Sequence, residues 1–120
     1  MEIIRNQDLV YQKPSRPNYP YSLSAKIIDS NQLFIYSELL KPGMRSSAPH
    51  YHREIDEVIF ILKGKLEVVE GQSCSTLTMG DTVCFKANSK VLHYLENKTD
   101  KDAEFLIIRK SMENSDASFE

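Results

Sequence analysis

Apolar residues in this chain come in short runs, many of them alternating with polar ones, and turn-forming residues separate the runs about every ten positions. A chain patterned this way cannot build long amphipathic helices, because no 3.6-residue period is sustained anywhere. It has to pair strands, and the even spacing predicts an all-β sandwich or barrel. The runs are Leu23 to Ile28, Leu33 to Leu40, Val58 to Leu62, Leu66 to Val69, Thr76 to Met79, Thr82 to Phe85, Val91 to Leu95 and Phe105 to Ile108, which makes about eight strands. Between them stand Asp29-Ser30-Asn31, Pro42-Gly43, Lys63-Gly64, Glu70-Gly71, Gly80-Asp81, Asn88-Ser89 and the polar stretch from Asn97 to Asp102, all turn chemistry.

At 120 residues there is room for one domain, long enough to bury a core without disulfide staples. Residues 1–21 read as an extended arm, since three of the five prolines fall between Lys13 and Pro20 and remove ladder donors. Residues 22–110 hold all the predicted strands. Residues 111–120 carry only Met112, Ala117 and Phe119 as apolar side chains and are expected to be disordered. A net charge of -2 gives no field to gather polyanions, so nucleic acid is not an expected partner. No eighteen apolar residues run together and no basic-then-apolar leader opens the chain, which leads to the expectation of a cytoplasmic protein with no membrane partner. Cys74 and Cys84 lack a metal or redox spacing and read as reduced thiols, Cys84 as a buried inert one.

The chemistry concentrates in the three histidines. His50 and His52 sit two apart, so in an extended segment both imidazoles face the same side. Glu57 follows at an odd offset that places it on the opposite face unless the chain bends between Arg53 and Asp56, where a bulge or turn would re-aim it. Glu54 and Asp56 compete for the carboxylate role. His93 comes from a later strand. Three imidazoles and a carboxylate form a nitrogen and oxygen set suited to divalent first-row metals.

These residues and their flanking glycines resemble the motifs of a small single-domain cupin. The first motif is matched by Gly43, His50, His52, Glu57 and Gly64, departing only in the six residues between Gly43 and His50, where the family has five. The second is matched by Gly80, His93 and Asn97, but twelve residues instead of ten precede His93, and Asn88 and Lys90 stand where the family has Pro and Gly. Asn88 tolerates the left-handed conformation such a turn needs. The resemblance implies a double-stranded β-helix, or jelly-roll barrel, holding a metal through His50, His52, Glu57 and His93, with Glu57 favoured over Asp56 by the family interval. Reactions in that family range widely, so the resemblance names no reaction.

Around the motifs, Tyr36 and Arg45 are the candidate catalytic residues. Tyr36 lies on the strand that leads into the first motif, with Ser37 and Glu38 beside it also able to reach an interior. Arg45 and Arg53 flank the histidines, where a guanidinium can clamp a carboxylate or phosphate. Tyr51 and Tyr94 are weaker donors by the same argument. Serine-hydrolase chemistry is excluded, since no G-x-S-x-G elbow surrounds Ser46 or Ser47, and phosphate-cradling glycine loops are missing. The expected protein binds a divalent transition metal, Fe, Mn, Ni or Zn, and admits a small polar organic ligand. Two positions of an octahedral ion stay open for oxygenase-type, isomerase-type or decarboxylase-type chemistry. The rival reading is a non-catalytic binding or sensing module. The apolar residues of the arm, Ile3, Ile4, Leu9, Val10, Tyr11, Tyr19 and Tyr21, lead to the further expectation of a homodimer, with folding of the arm onto its own barrel as the alternative.

Overall fold

A computed structural model describes residues 1–120. Its strands are β1 (Leu23–Asp29), β2 (Leu33–Leu40), β3 (Tyr51–His52), β4 (Glu57–Lys63), β5 (Lys65–Glu70), β6 (Ser73–Thr78), β7 (Thr82–Phe85), β8 (His93–Glu96), β9 (Ala103–Lys110) and β10 (Ala117–Ser118), and the one helical turn spans Asn6–Asp8. All eight expected strands are present, two of them with the predicted bounds. β3 and β10 were not expected. They are two residues each, too short for any periodicity to register.

One sheet has the order β1-β2-β9-β4-β7 and the other β6-β5-β8, every pairing antiparallel. The second sheet continues past β8. Ser46 N–H donates to Leu95 O at 2.8 Å, and His50 and His93 exchange backbone bonds of 3.2 and 2.8 Å, so the segment from Met44 to His50 runs beside β8 and hands over to β3, which pairs with β10. Two curved sheets facing each other in this way form the double-stranded β-helix.

Strand alternation sorts what lies between the sheets. Across β2, β9 and β4 the inward rows are Glu38, Phe105 and Ile61; then Tyr36, Ile107 and Ile59; then Phe34, Arg109 and Glu57. The first row lies beside the core. There Leu40, Ile59, Ile61, Leu66, Val68, Phe85, Leu95, Ala103 and Phe105 form one buried apolar cluster. Each large side chain in it stabilises the fold by about 1.5–3 kcal/mol through lost apolar hydration. Asn97, the last residue of the second motif, is fully buried and fully satisfied. Its amide donates to Leu40 O and Lys101 O at 2.9 and 2.7 Å, and its oxygen accepts from the Thr99 amide and hydroxyl, tying the β8–β9 turn to the end of β2.

The enlarged turn before His93 takes the form its length demands, with Asn88 at φ 57° and Lys90 at φ 61°. Lys90 carries a Cβ in the left-handed region, which costs about 1–2 kcal/mol. Lys90→Gly relieves that strain and loses part of the gain to unfolded-chain entropy. It is expected to raise stability by about 0.5–1 kcal/mol in a urea melt, and a drop in the midpoint would show that the lysine stem contributes more than the strain removes.

The arm lies along its own barrel at Tyr11 and Gln12: the Tyr11 hydroxyl is 2.7 Å from Ser37 Oγ, and Gln12 N–H donates to Ser24 O at 2.8 Å. Ser37 and Ala25, on the outer face of the first sheet, are thereby almost fully covered. Ile3, Ile4 and Val10 stay exposed. The end of the chain does not match the expectation of disorder. β10 pairs with β3, and Asp116 is only 2% exposed, because its carboxylate has partners that a composition count cannot register. Cys84 is exposed, not a buried thiol: alternation turns Phe85 inward and Cys84 to the surface. No helix is long and apolar enough to cross a membrane.

Candidate metal centre

The four histidine and glutamate donors converge. His50, His52, Glu57 and His93 each place one donor atom so that all four lie within 4.8 Å of one another. His50 and His52 arrive on the two-residue period of an extended segment, their rings 5.0 Å apart, and His93 is brought to His50 by the backbone bridge between them. Glu57 joins because the chain bends at Arg53 and Glu54, the bend its odd offset required. Asp116 pins that bend: its Oδ2 accepts the Glu54 and Ile55 amides at 3.0 and 3.1 Å.

The hydrogen bonds decide which nitrogens face the cluster. Nδ1 of His52 donates to Asp116 Oδ1 at 2.7 Å and Nδ1 of His50 donates to Ala48 O at 2.9 Å, leaving each Nε2 for the centre. His93 lies flat on Phe85, ring centroids 3.7 Å apart. Its Nε2 is 3.4 Å from Glu57 Oε1 but out of line for a hydrogen bond, so both of its ring nitrogens are buried without a partner. A cation fits that arrangement, since it supplies the partner that buried donors otherwise lack. Burial pushes the Glu57 carboxyl up, but contacts with His52 and His93 outweigh it and hold the group at about 2. Burial lowers His50, which keeps its lone pair free; His52 is also penalised by burial, yet Glu57 and Asp116 raise it overall.

The centre opens on a cavity of about 280 Å³ between the sheets. Tyr36 lines it, stacked on Phe34 at 4.1 Å. Glu38 lines it as well, 8% exposed, with Oε1 3.4 Å from the Ser22 hydroxyl and Oε2 without any partner. Arg45 does not reach it. The other candidate catalytic residue bonds Glu96 at 2.9 Å and lies over the Tyr94 ring on the outside, because strand alternation turns it away from Met44 and Ser46. Arg53 is exposed and donates to Ala117 O at 3.1 Å, holding the end of the chain and not a ligand. Asp56 accepts the Ala87 amide at 2.8 Å and Glu54 is exposed, so neither competes with Glu57. Two residues of the site were not found from the sequence. Arg109 lines the cavity from the last row of β9, and Asp116 carried no signal beyond the small apolar residues that follow it.

The cupin domain profile matches residues 36–109, more than half of the chain and all four donors. The chain belongs to the cupin family. As a cupin it superposes on a cupin-superfamily sugar phosphate isomerase from Silicibacter pomeroyi with a TM-score of 0.81 and 25% identity, over 92% of this chain and 76% of that one. A polyketide cyclase from Streptomyces resistomycificus gives 0.79 and 16% over 93% and 80% of the two chains. A predicted oxalate decarboxylase from Thermotoga maritima gives 0.75 and 18% over 92% and 100%. At such identities the last two speak for the fold alone. No curated protein matches this cupin in sequence.

Burial raises the Glu38 carboxyl, since Ser24 and Ser22 compensate only in part and Glu57 adds to the rise. A carboxyl raised on folding weakens the fold once the pH exceeds its unfolded value, because the folded state resists ionisation. In chelator-treated protein Glu38→Gln is therefore expected to raise Tm at pH 7, with the gain vanishing below about pH 4. Equal melting of the two proteins at both pH values would show that Glu38 is solvated.

Proposed function

We propose that this cupin is a metal-dependent enzyme that moves a proton within a small polar organic molecule, isomerase-type chemistry, with His50, His52, Glu57 and His93 holding a divalent transition metal. One observation carries the reading: the donor cluster opens on the same cavity as Glu38, a buried carboxyl with an oxygen left free. When bound, the metal supplies Lewis acidity to a substrate oxygen. Glu38 does the rest. Its carboxylate takes a proton from the hydroxyl-bearing carbon beside a carbonyl and returns it to the carbonyl carbon, while the hydroxyl proton passes to the former carbonyl oxygen, so no atom is gained or lost and no co-reactant is consumed. Burial keeps its proton affinity high enough for both steps, and the apolar walls from Ile59, Phe105 and Ile107 exclude water that would otherwise exchange with it. Tyr36, which lines the same cavity, would donate a hydrogen bond to the ligand. Oxygenase-type chemistry needs only the open metal positions and leaves Glu38 without a task, whereas decarboxylation shares the need for a proton donor. The sugar phosphate isomerase from Silicibacter pomeroyi is one structural relative whose named activity agrees with this reading.

The test is proton NMR in D2O with metal-loaded protein and a panel of α-hydroxy aldehydes and ketones. Deuterium is expected to appear beside the carbonyl, to stop on metal removal, and to slow by about 10²–10⁴-fold in Glu38→Gln. Exchange at the wild-type rate in that variant removes Glu38 from the mechanism. A ligand seen in the cavity of metal-loaded protein without exchange leaves the binding or sensing module as the reading.

A further inference from the structure

The cavity contains a cation for which the chain provides no anion. Arg109 reaches the cavity from β9, and its guanidinium lies over the Phe34 ring at 3.9 Å, with Phe34 in turn stacked on Tyr36. This stack fixes the flat face of the guanidinium and leaves its edge, where all five N–H donors lie, free for a planar or tetrahedral oxyanion. Glu57 stands opposite Arg109 in the strand register, yet its carboxylate is turned to His52 and His93. None of the ion pairs in the chain involves Arg109. Arg45 is also laid over an aromatic ring but has Glu96 to pair with. Water can solvate the half-buried guanidinium in the cavity, and a ligand oxyanion would replace that water with a charge-assisted pair.

We propose that Arg109 is an anion-binding subsite of the cavity, and that the ligand is a small organic oxyanion, a carboxylate or a phosphomonoester. Its charged group docks on the Arg109 edge while the remainder extends toward the histidines and Glu38. The charge pattern orients such a ligand. Arg109 lies in the same row as Glu57, whose carboxylate is taken up by His52 and His93, whereas Glu38 lies two rows away beside Phe105, about 13 Å along the strand direction, so the negative end docks at Arg109 and is repelled from Glu38. This inference rests on the reading of the cavity as a ligand site and adds the class of ligand.

Calorimetric titration of full-length protein with inorganic phosphate, with succinate and with uncharged glycerol tests it, on zinc-loaded and on chelator-treated samples. At least one anion is expected to bind at millimolar concentration and glycerol not to. Arg109→Gln should weaken that binding by about ten- to a hundredfold in both samples, and Arg109→Lys, which keeps the charge but loses the fork, by less. Arg45→Gln should leave it unchanged. Which anion binds more tightly separates a phosphomonoester ligand from a carboxylic acid. The subsite is overturned if neither anion binds, if folded Arg109→Gln binds as wild type does, or if Arg45→Gln weakens binding equally, which would reduce the effect to net charge. Zinc content, measured on the same samples, keeps the two readings apart. Arg109-dependent binding without zinc uptake defeats the metal reading alone, and zinc uptake with Arg109-independent anion binding defeats the subsite alone.

Discussion

Alanine at His52 is expected to weaken metal binding on the order of 100-fold, and removal of His50, His52 and His93 together to abolish it. Structural zinc sites with four ligands gain about 10–16 kcal/mol, so one ligand is worth about 3 kcal/mol. His52 is the most heavily used of the four, since Asp116 orients it and Glu57 faces it at 3.1 Å. Alanine also strands two buried carboxylates, Glu57 and Asp116, which destabilises the fold by itself. His52→Gln is therefore the companion variant, and each is checked by circular dichroism before metal content is read by elemental analysis. Stoichiometric metal in the triple alanine variant would defeat the assignment. Acidification from pH 7 to 5 should release the metal, because protons compete for the same imidazole lone pairs, and a flat titration would argue against histidine ligation.

The second large effect is expected from the end of the chain. Deleting residues 116–120, or replacing Asp116 with alanine, should cost about 10–100-fold in metal affinity, the size seen when the carboxylate behind a metal-binding histidine is lost. The same carboxylate caps the Glu54 and Ile55 amides at the bend that delivers Glu57, so one side chain orients a histidine and holds the turn that aims the glutamate. Leaving those amides without an acceptor adds about 1–3 kcal/mol of destabilisation. Burial works against the Asp116 charge, but the bonds from His52, Glu54 and Ile55 prevail and lower its pKa, as a permanent anion behind His52 requires. Asn at this position keeps one acceptor oxygen where three donors compete and should fall between wild type and alanine. Competition with a chromophoric chelator reads the affinity and a thermal melt the stability. Unchanged values after truncation would mean that His52 is oriented without the tail.

Much of this could be read in advance because it is local. A two-residue period shows where strands run and that His50 and His52 share a face; glycines and Asn-Ser or Gly-Asp pairs show where they turn. Even the bend before Glu57 was implied by its odd offset. The same locality explains what failed. Arg45 and Arg109 are indistinguishable as arginines near strands, and composition placed the end of the chain among the disordered segments because a decapeptide with few apolar residues has no pattern to show.

Eight of the ten strands, the turns between them and the four residues that cluster were legible in the chain itself, because they depend on spacing within a few residues or on a motif with its own fixed intervals. The tertiary structure alone decided the rest. Asp116 meets His52 across 64 residues of chain, and Arg109 enters the cavity because β9 lies between β2 and β4. Glu38 faces inward while its neighbour Ser37 turns out under Tyr11. Each of these depends on which strand lies beside which and in what register, and a one-residue slip would exchange every inward side chain for its outward neighbour.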